Sequence, residues 1–543
     1  ILMGRAKTGK SEQVLRQIRE LGDSGQQILL VPEHASHQAE VDLCRFCGDT
    51  ASRHAEVLSF RRLCDRVLTL TGGAAQVTLD AGGKLLTLQK ALGEVAPLLK
   101  VYRRPSQKAS FLQQLLDLFD ELRCYDVSPA LLESQAREIQ GASRDKLLDL
   151  SLLYGAYESR LYRPGFDARD RMTRLCEALG PSRYVFGKDV LLDGFTYFNA
   201  QERQVLETIL RQARSVTVTL LGEPDSAEEM FQVSLRTRDQ LTRLAEKAGC
   251  PWEVRTLTRT DGTALGHLER YFFGEGEPYE GDSGAIRVRE ADTAFSEVEQ
   301  TAADIRHLVA AGKCRYRDIT VAARNMADYE GIIETVFERY EIPAYLSRRS
   351  DMLEKPVWSL ITGVLSALEN GFEYEDMFRW LKTGLAGLTP EECDQLENYV
   401  LTWEIHGKMW LRDVDWTDNP DGYGAPWNDR RQARLDRVNG LRRRVREPLA
   451  ALNEGLKAGK TAGEKVDALY GFLERLDLQG TLEEQMRAQA EAGRLQEAEE
   501  TAQLWEILCA ILDQFVEILG DEPMGTDEFS RLLRQVASQY SVG

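Results

Sequence analysis

The first 60 residues read as strand, glycine loop, helix, strand, helix. Helix signals run from Lys10 to about Leu21. Gln27-Ile-Leu-Leu-Val-Pro32 is a short apolar run bounded by turn residues, the pattern of a buried parallel strand. A helix from about Ala35 to Cys47 and a strand over Glu56-Val-Leu-Ser-Phe60 follow. This alternation predicts an α/β layer. From about Thr78 to Arg174 the pattern turns helical, as in Gly83-Lys-Leu-Leu-Thr-Leu-Gln-Lys-Ala-Leu92, Phe111 to Phe119 and Lys146 to Tyr154. Strand signals return at Asp189-Val-Leu-Leu-Asp193 and Ser215 to Leu221. The reading is a first α/β domain over 1–75 plus 185–273, with a helical insertion over 76–184.

Gly274 to Gly284 is rich in glycine and acid, a linker by composition. Beyond it the pattern predicts a strand over Ala285–Arg289, a helix over Ala294–Ala310, a strand over Asp318–Ala322 and a helix over Met326–Tyr340. That is a second α/β unit over 285–355. From 356 to 543 the chain reads as helical, apart from a polar, Trp-rich loop from Asp413 to Asn428. No internal repeat with a 20–50 residue period is visible.

Composition changes this picture in three ways. At 543 residues and 43% hydrophobic content, the chain can build several cores and is not a disordered polymer. A net charge of −19 excludes a globally basic nucleic-acid binder but leaves room for a local basic groove. Nine scattered cysteines predict reduced thiols and a cytoplasmic setting, with no disulfide framework. Cys44-x-x-Cys47 is the one close pair, and it reads better as two helical thiols than as half a zinc site. The start does not read as a signal peptide, and no run approaches the ~18 apolar residues of a membrane span.

Gly4-Arg5-Ala6-Lys7-Thr8-Gly9-Lys10-Ser11 matches GxxxxGK[ST] without departure. The glycines let backbone N–H groups curl round phosphate oxygens. Lys10 neutralises the β- and γ-phosphates, Ser11 ligates Mg²⁺, and the helix that opens here adds its dipole. The reading is ATP with Mg²⁺, the second metal contact being Asp193 at the end of an apolar run. A motor ATPase usually carries Glu after that Asp; here it is Gly194, so hydrolysis is not predicted. Glu202 is a nearby carboxylate that reads as a solvated helix residue. No catalytic residue is assigned.

Ser59-Phe60-Arg61-Arg62 follows a strand. An aromatic ring and cations at a strand end suit single-stranded DNA, and a core Phe beside solvated arginines suits the pattern equally. Phe195, Tyr197 and Phe198 follow Asp193 in the same style, with core packing the stronger reading. Lys313–Arg317 and the Arg-rich stretch from Arg430 to Glu447 are either a DNA or partner face or a helix face paired with carboxylates.

GRAKTGKS, ILLVPEHASHQAE, EVLSFRRLCDRVL and LLDGFTYFNAQERQVLE, in that order, resemble the AddB subunits of bacterial AddAB helicase–nucleases. CRYRDITVAARNMADYEGIIETVFERYEIPAYLSRRSDMLEKPV and DQLENYVLTWEIHGKMW continue the resemblance over the rest of the chain. It implies a superfamily 1 helicase-like fold with two RecA-like domains, each carrying a helical insertion. It implies double-strand break repair beside an AddA partner, on duplex ends and single strands, with recognition of a short regulatory sequence (Chi). Arg324 falls at a nucleotide-contacting arginine of the motor family. His34, Ser36, Phe60 and Arg62 fall on the single-strand face, and Tyr197, read from its place after the Asp193 strand, is counted with them as DNA-binding. Where the family usually reads VPxQxTF, this chain has His34, Ser36 and His37, so the recognised sequence is not carried over. The nuclease and its four-cysteine iron–sulfur cluster are expected in a longer subunit, not in these residues. The alternatives are a structural partner of AddA with a vestigial phosphate loop, or an unrelated P-loop NTPase or kinase.

Overall fold

The computed structural model describes residues 1–72, 79–103, 109–163, 166–167, 170–224, 228–258, 262–274, 276–346 and 350–542. Glu275 of the expected linker and Gly543 lie outside the described residues. Two compact units emerge. One comprises Ile1–Met3, Lys10–Thr256 and Ser350–Gly543; the other comprises Gly4–Gly9 and Leu257–Arg349.

The larger unit holds a six-stranded parallel sheet. Its strands are β1 (Leu2–Gly4), β2 (Gln27–Leu30), β3 (Ala55–Leu58), β4 (Asp189–Leu192), β5 (Ser215–Leu221) and β6 (Arg255–Thr256), in the order β3-β2-β4-β5-β1-β6. Gln27 pairs with Ala55 on one side and Asp189 on the other, and Leu30 with Leu58 and Leu192. Alternate residues feed two cores, as the two-residue period of a strand requires. Leu2, Leu29, Val57 and Leu191 face α1 (Lys10–Leu21) and α2 (Ser36–Cys47). Met3, Ile28, Leu30, Val190 and Leu192 face the other side. That side is covered by α3 (Phe60–Thr71), α4 (Arg171–Ser182), α5 (Ala200–Gln212) and α6 (Gln232–Ala248). At β2 and β4 both faces are buried, which explains why these strands read as continuous apolar runs.

The three expected helical runs lie inside helices Ala81–Val95, Ala109–Cys124 and Ala142–Leu161. These helices share one core with those between Pro356 and Ala537. Leu86, Phe119 and Tyr157 belong to the same cluster as Trp358, Trp380, Leu469 and Phe515. Lys90 donates to the Ile518 carbonyl at 2.9 Å and pairs with Glu522 at 3.0 Å, and Tyr540 donates to Asp80 at 2.5 Å. The loop expected over Asp413–Asn428 precedes a 30-residue helix, Asp429–Ala458.

The smaller unit contains α7 (Ala264–Tyr271), α8 (Ala294–Ala310) and α9 (Glu330–Arg339). Val298, Ala302, Ile305, Ile333, Val336, Phe337 and Ile342 form its core. The helices fall where expected, with the last reduced to Glu330–Arg339 after a short 3₁₀ turn at Met326–Asp328. The strands expected over 285–289 and 318–322 are not formed. A strand exists by pairing, and neither segment has a neighbour to pair with among the described residues. Val288 is 93% exposed as a result. Ile319, Val321, Phe337 and Tyr345 line an apolar groove of about 760 Å³ beside the second segment.

Candidate phosphate loop and single-strand face

Gly4 closes β1 and has no room for a side chain. A Cβ there would lie 2.3 Å from Thr8 Oγ1 and 2.8 Å from the Leu257 carbonyl oxygen. The loop then turns through left-handed backbone at Lys7 (φ 56°) and Gly9 (φ 88°). The Thr8 hydroxyl donates to the Arg5 carbonyl at 3.0 Å. Lys10 and Ser11 are the first residues of α1, whose opening N–H groups have no partner within the helix. A tight loop, with left-handed backbone at Lys7 and Gly9, running into a helix start fits a phosphate group.

Arg5 is buried. Its Nε donates to both carboxylate oxygens of Glu269 at 3.2 Å, and its Nη2 to the carbonyls of Glu269 at 3.0 Å and Arg270 at 3.3 Å. The Ala6 N–H reaches Glu269 Oε1 at 3.4 Å. Arg5 thus caps the C-terminal turn of α7. Nothing local in the sequence points to this, because the partners are 264 residues apart.

Asp193 follows β4. Its N–H donates to the Leu30 carbonyl at 3.0 Å, and its Oδ1 accepts from the Thr219 hydroxyl at 2.5 Å. Thr219 was invisible to sequence reading, being one position in an alternating strand. Gly194 takes left-handed backbone (φ 83°), and a Cβ there would touch Pro32 Cδ at 3.4 Å. Glu202 is committed elsewhere. Its carboxylate accepts from the Asn199 N–H at 2.8 Å while Asn199 caps α5 in return, and burial pushes the Glu202 carboxyl up.

Parallel strands place the segments after β2, β3 and β4 on one edge of the sheet. The turn after β2 carries exposed His34 and leads to Ser36, the first residue of α2. The Ser36 hydroxyl is buried and has no hydrogen-bond partner among the described residues. After β3, Ser59 caps α3 by accepting from the Arg62 N–H at 3.2 Å. Arg62 is exposed and pairs with Glu40 at 2.5 Å. Phe60 occupies the core alternative. It is 8% exposed, with its ring edge-on to Phe195 at 5.6 Å and to Phe198 at 6.5 Å. After β4, Tyr197 is the exposed aromatic, at 64%.

The other candidates separate. Arg324 lies exposed in a bend after the unpaired segment 318–322. Arg315 is clamped by Asp318 at 2.8 Å. The Arg-rich helix is paired: Arg431 with Asp421 at 2.6 Å, Arg443 with Asp415 at 2.8 Å, Arg444 with Glu392 at 3.0 Å and Arg446 with Asp413 at 2.8 Å. Cys47 is half-buried, donates to the Leu15 carbonyl at 3.4 Å, and is pushed up by burial.

The family model described as "ADDB, N-terminal" matches residues 1–269. The chain belongs to the AddB family. It is 35% identical to an ATP-dependent helicase/deoxyribonuclease subunit of Desulforudis audaxviator, over 98% of this chain and 48% of that protein. The subunits of the same name from Clostridium kluyveri and Clostridioides difficile are 31% and 30% identical over all of this chain and 49% of theirs. The chain spans about half the length of the curated relatives it matches. Among the described residues no helix is long and apolar enough to cross a membrane.

Proposed function

We propose that this chain is the nucleotide- and DNA-binding half of a subunit in an AddAB-type helicase–nuclease that acts in double-strand break repair in the cytoplasm beside an AddA partner. In this reading its sheet is a RecA-like P-loop domain. Residues 285–355 begin a second such domain, and 76–184 and 356–543 are the helical insertions. The single observation that carries the DNA reading is the sheet edge. Three strand ends there present His34, Arg62 and Tyr197, and beside them the Ser36 hydroxyl is buried without a partner among the described residues. A phosphate at the start of α2 would satisfy that hydroxyl and meet the positive end of the helix. Tyr197 offers a ring for a base, and Phe60 supports the face from beneath. Reading of a Chi-type sequence would fall to the same edge.

Gly4 to Ser11 would hold ATP, with Ser11 and Asp193 on Mg²⁺ and Thr219 orienting Asp193. Bound nucleotide would supply phosphate charge to the loop. The absence of a carboxylate at Gly194 supports binding without turnover here. The same observation favours a second reading, a structural partner of AddA with a vestigial loop.

Two titrations test this. Affinity for a labelled single-stranded oligonucleotide should fall steeply with salt, as neutralised phosphates require. Tyr197→Ala should weaken binding by about 1–3 kcal/mol, the worth of one base stack. Absence of binding at low salt, with and without AddA, would sink the DNA reading. Lys10→Ala should abolish binding of Mg-ATP; equal binding by parent and variant would leave the vestigial-loop reading.

A further inference from the structure

We infer that Glu269 is a built-in competitor for the anion that the glycine loop takes, so that helix α7 and nucleotide phosphate hold this loop alternately. The inference rests on the phosphate reading of Gly4 to Ser11. A loop of this kind binds phosphate through backbone N–H groups and a neighbouring cation. Here an anion from the chain itself already takes one loop N–H and the guanidinium beside it. The Glu269 carboxylate takes the Ala6 N–H at 3.4 Å and the Arg5 Nε through both oxygens at 3.2 Å.

The C-terminal end of α7 adds to this. Arg5 also holds the carbonyls of Glu269 and Arg270 at 3.0 and 3.3 Å, where the helix carries partial negative charge. A full and a partial negative charge therefore sit against the segment that a triphosphate would approach. Like charges cannot share that segment without cost. The contact is also built to open. The Glu269 side chain is 30% exposed, so its carboxylate can swing into water. The N–H contact is long for a hydrogen bond and is cheaply given up. The ligand class is a nucleoside triphosphate with Mg²⁺, and its arrival would free the last turn of α7.

The test measures equilibrium binding of a fluorescent ATP analogue with Mg²⁺ to the parent chain, Glu269→Gln, Glu269→Ala and Lys10→Ala. Hydrogen exchange across 264–274 is followed in parallel. Glu269→Gln keeps the shape of the side chain and removes its charge, so it is decisive where Glu269→Ala loosens the loop. Glu269→Gln should bind more tightly, on the order of tenfold, within the usual range of couplings between ligand and conformation. In the parent, exchange over 264–274 should rise when nucleotide is added. Unchanged or weaker binding by Glu269→Gln, while Lys10→Ala abolishes binding, would overturn the inference and leave the phosphate loop intact. Binding that Lys10→Ala does not alter, or no binding by any of the four proteins, would remove the phosphate reading and this inference with it. Binding by Glu269→Gln alone would support both.

Discussion

At the scale of single residues, the site is decided by backbone conformation as much as by side-chain chemistry. In the nucleotide reading proposed above, Gly194 stands where a motor ATPase carries its water-orienting Glu, and its φ of 83° is one that L side chains rarely adopt. The missing carboxylate is therefore not a simple substitution in an otherwise ready site. A Glu side chain placed there would start from left-handed backbone, with its Cβ against Pro32. Gly194→Glu should lower stability by about 1 kcal/mol or more and should not create ATP turnover. A phosphate-release assay on the folded variant checks this, and measurable turnover would show that the backbone can relax to seat the base. The glycine loop and Asp193 were legible in the sequence because both are local patterns. Thr219 on Asp193 and Glu269 on Arg5 were not, since each partner lies on an element remote in sequence. At Phe60 the sequence left a ring that could face either way; burial against Phe195 and Phe198 sets it inward.

At the scale of elements, the contrast is between strands and arginines. Strands β2 and β4 were legible because burial on both faces writes an apolar run, and β5 because Val and Thr alternate along it. The segments 285–289 and 318–322 carry the alternating pattern and stay unpaired among the described residues, because a ladder needs a second strand that local pattern does not supply. The helix Asp429–Ala458 teaches the converse lesson. In sequence its arginines suit either a DNA or partner face or a face paired with carboxylates, and the structure takes the second: Arg443, Arg444 and Arg446 each face a carboxylate, two of them on the loop before the helix. Arg442 is buried and donates to the Arg412 carbonyl, with its guanidinium 5.1 Å from the Trp416 ring centre. The stretch works as a clasp for the Trp-rich loop. Replacing Arg443 and Arg446 together by Ala should leave affinity for single-stranded DNA and its salt slope unchanged. The exposed Arg443 pair is worth at most about 1 kcal/mol, and half-buried Arg446 adds its pair and a hydrogen bond to the Leu411 carbonyl worth about 1 kcal/mol more, so the fold should survive. A lowered salt slope in the double variant would return this helix to the DNA path.

At the scale of the larger unit, two helical segments separated in sequence by half the strands of the α/β sheet close on one core. No local pattern could announce that union, but two glycines in the helix Ala81–Val95 mark where it happens. Glycine inside a helix costs about 1 kcal/mol relative to alanine, so its presence calls for a reason. At Gly82 the reason is Tyr540: a Cβ would lie 2.6 Å from its hydroxyl and 2.9 Å from Val536 Cγ1. The Tyr540 hydroxyl is held by Asp80 at 2.5 Å, so it cannot step aside freely. At Gly83 the Cβ would meet Gln514 Oε1 at 2.4 Å. Gly93, on the same helix, has nothing within 4 Å. The same substitution should therefore have opposite signs at two positions of one helix. Gly93→Ala should raise the melting temperature slightly, by up to about 1 kcal/mol of helix propensity. Gly82→Ala should lower it, because the clash with a pinned ring outweighs that gain, and overpacking typically costs about 1–3 kcal/mol. Hydrogen exchange adds the decisive readout. In Gly82→Ala, protection should fall both in 81–95 and in 526–542, since the two segments stabilise each other. A loss confined to 81–95 would mean that the two helical segments hold their structure independently and only touch.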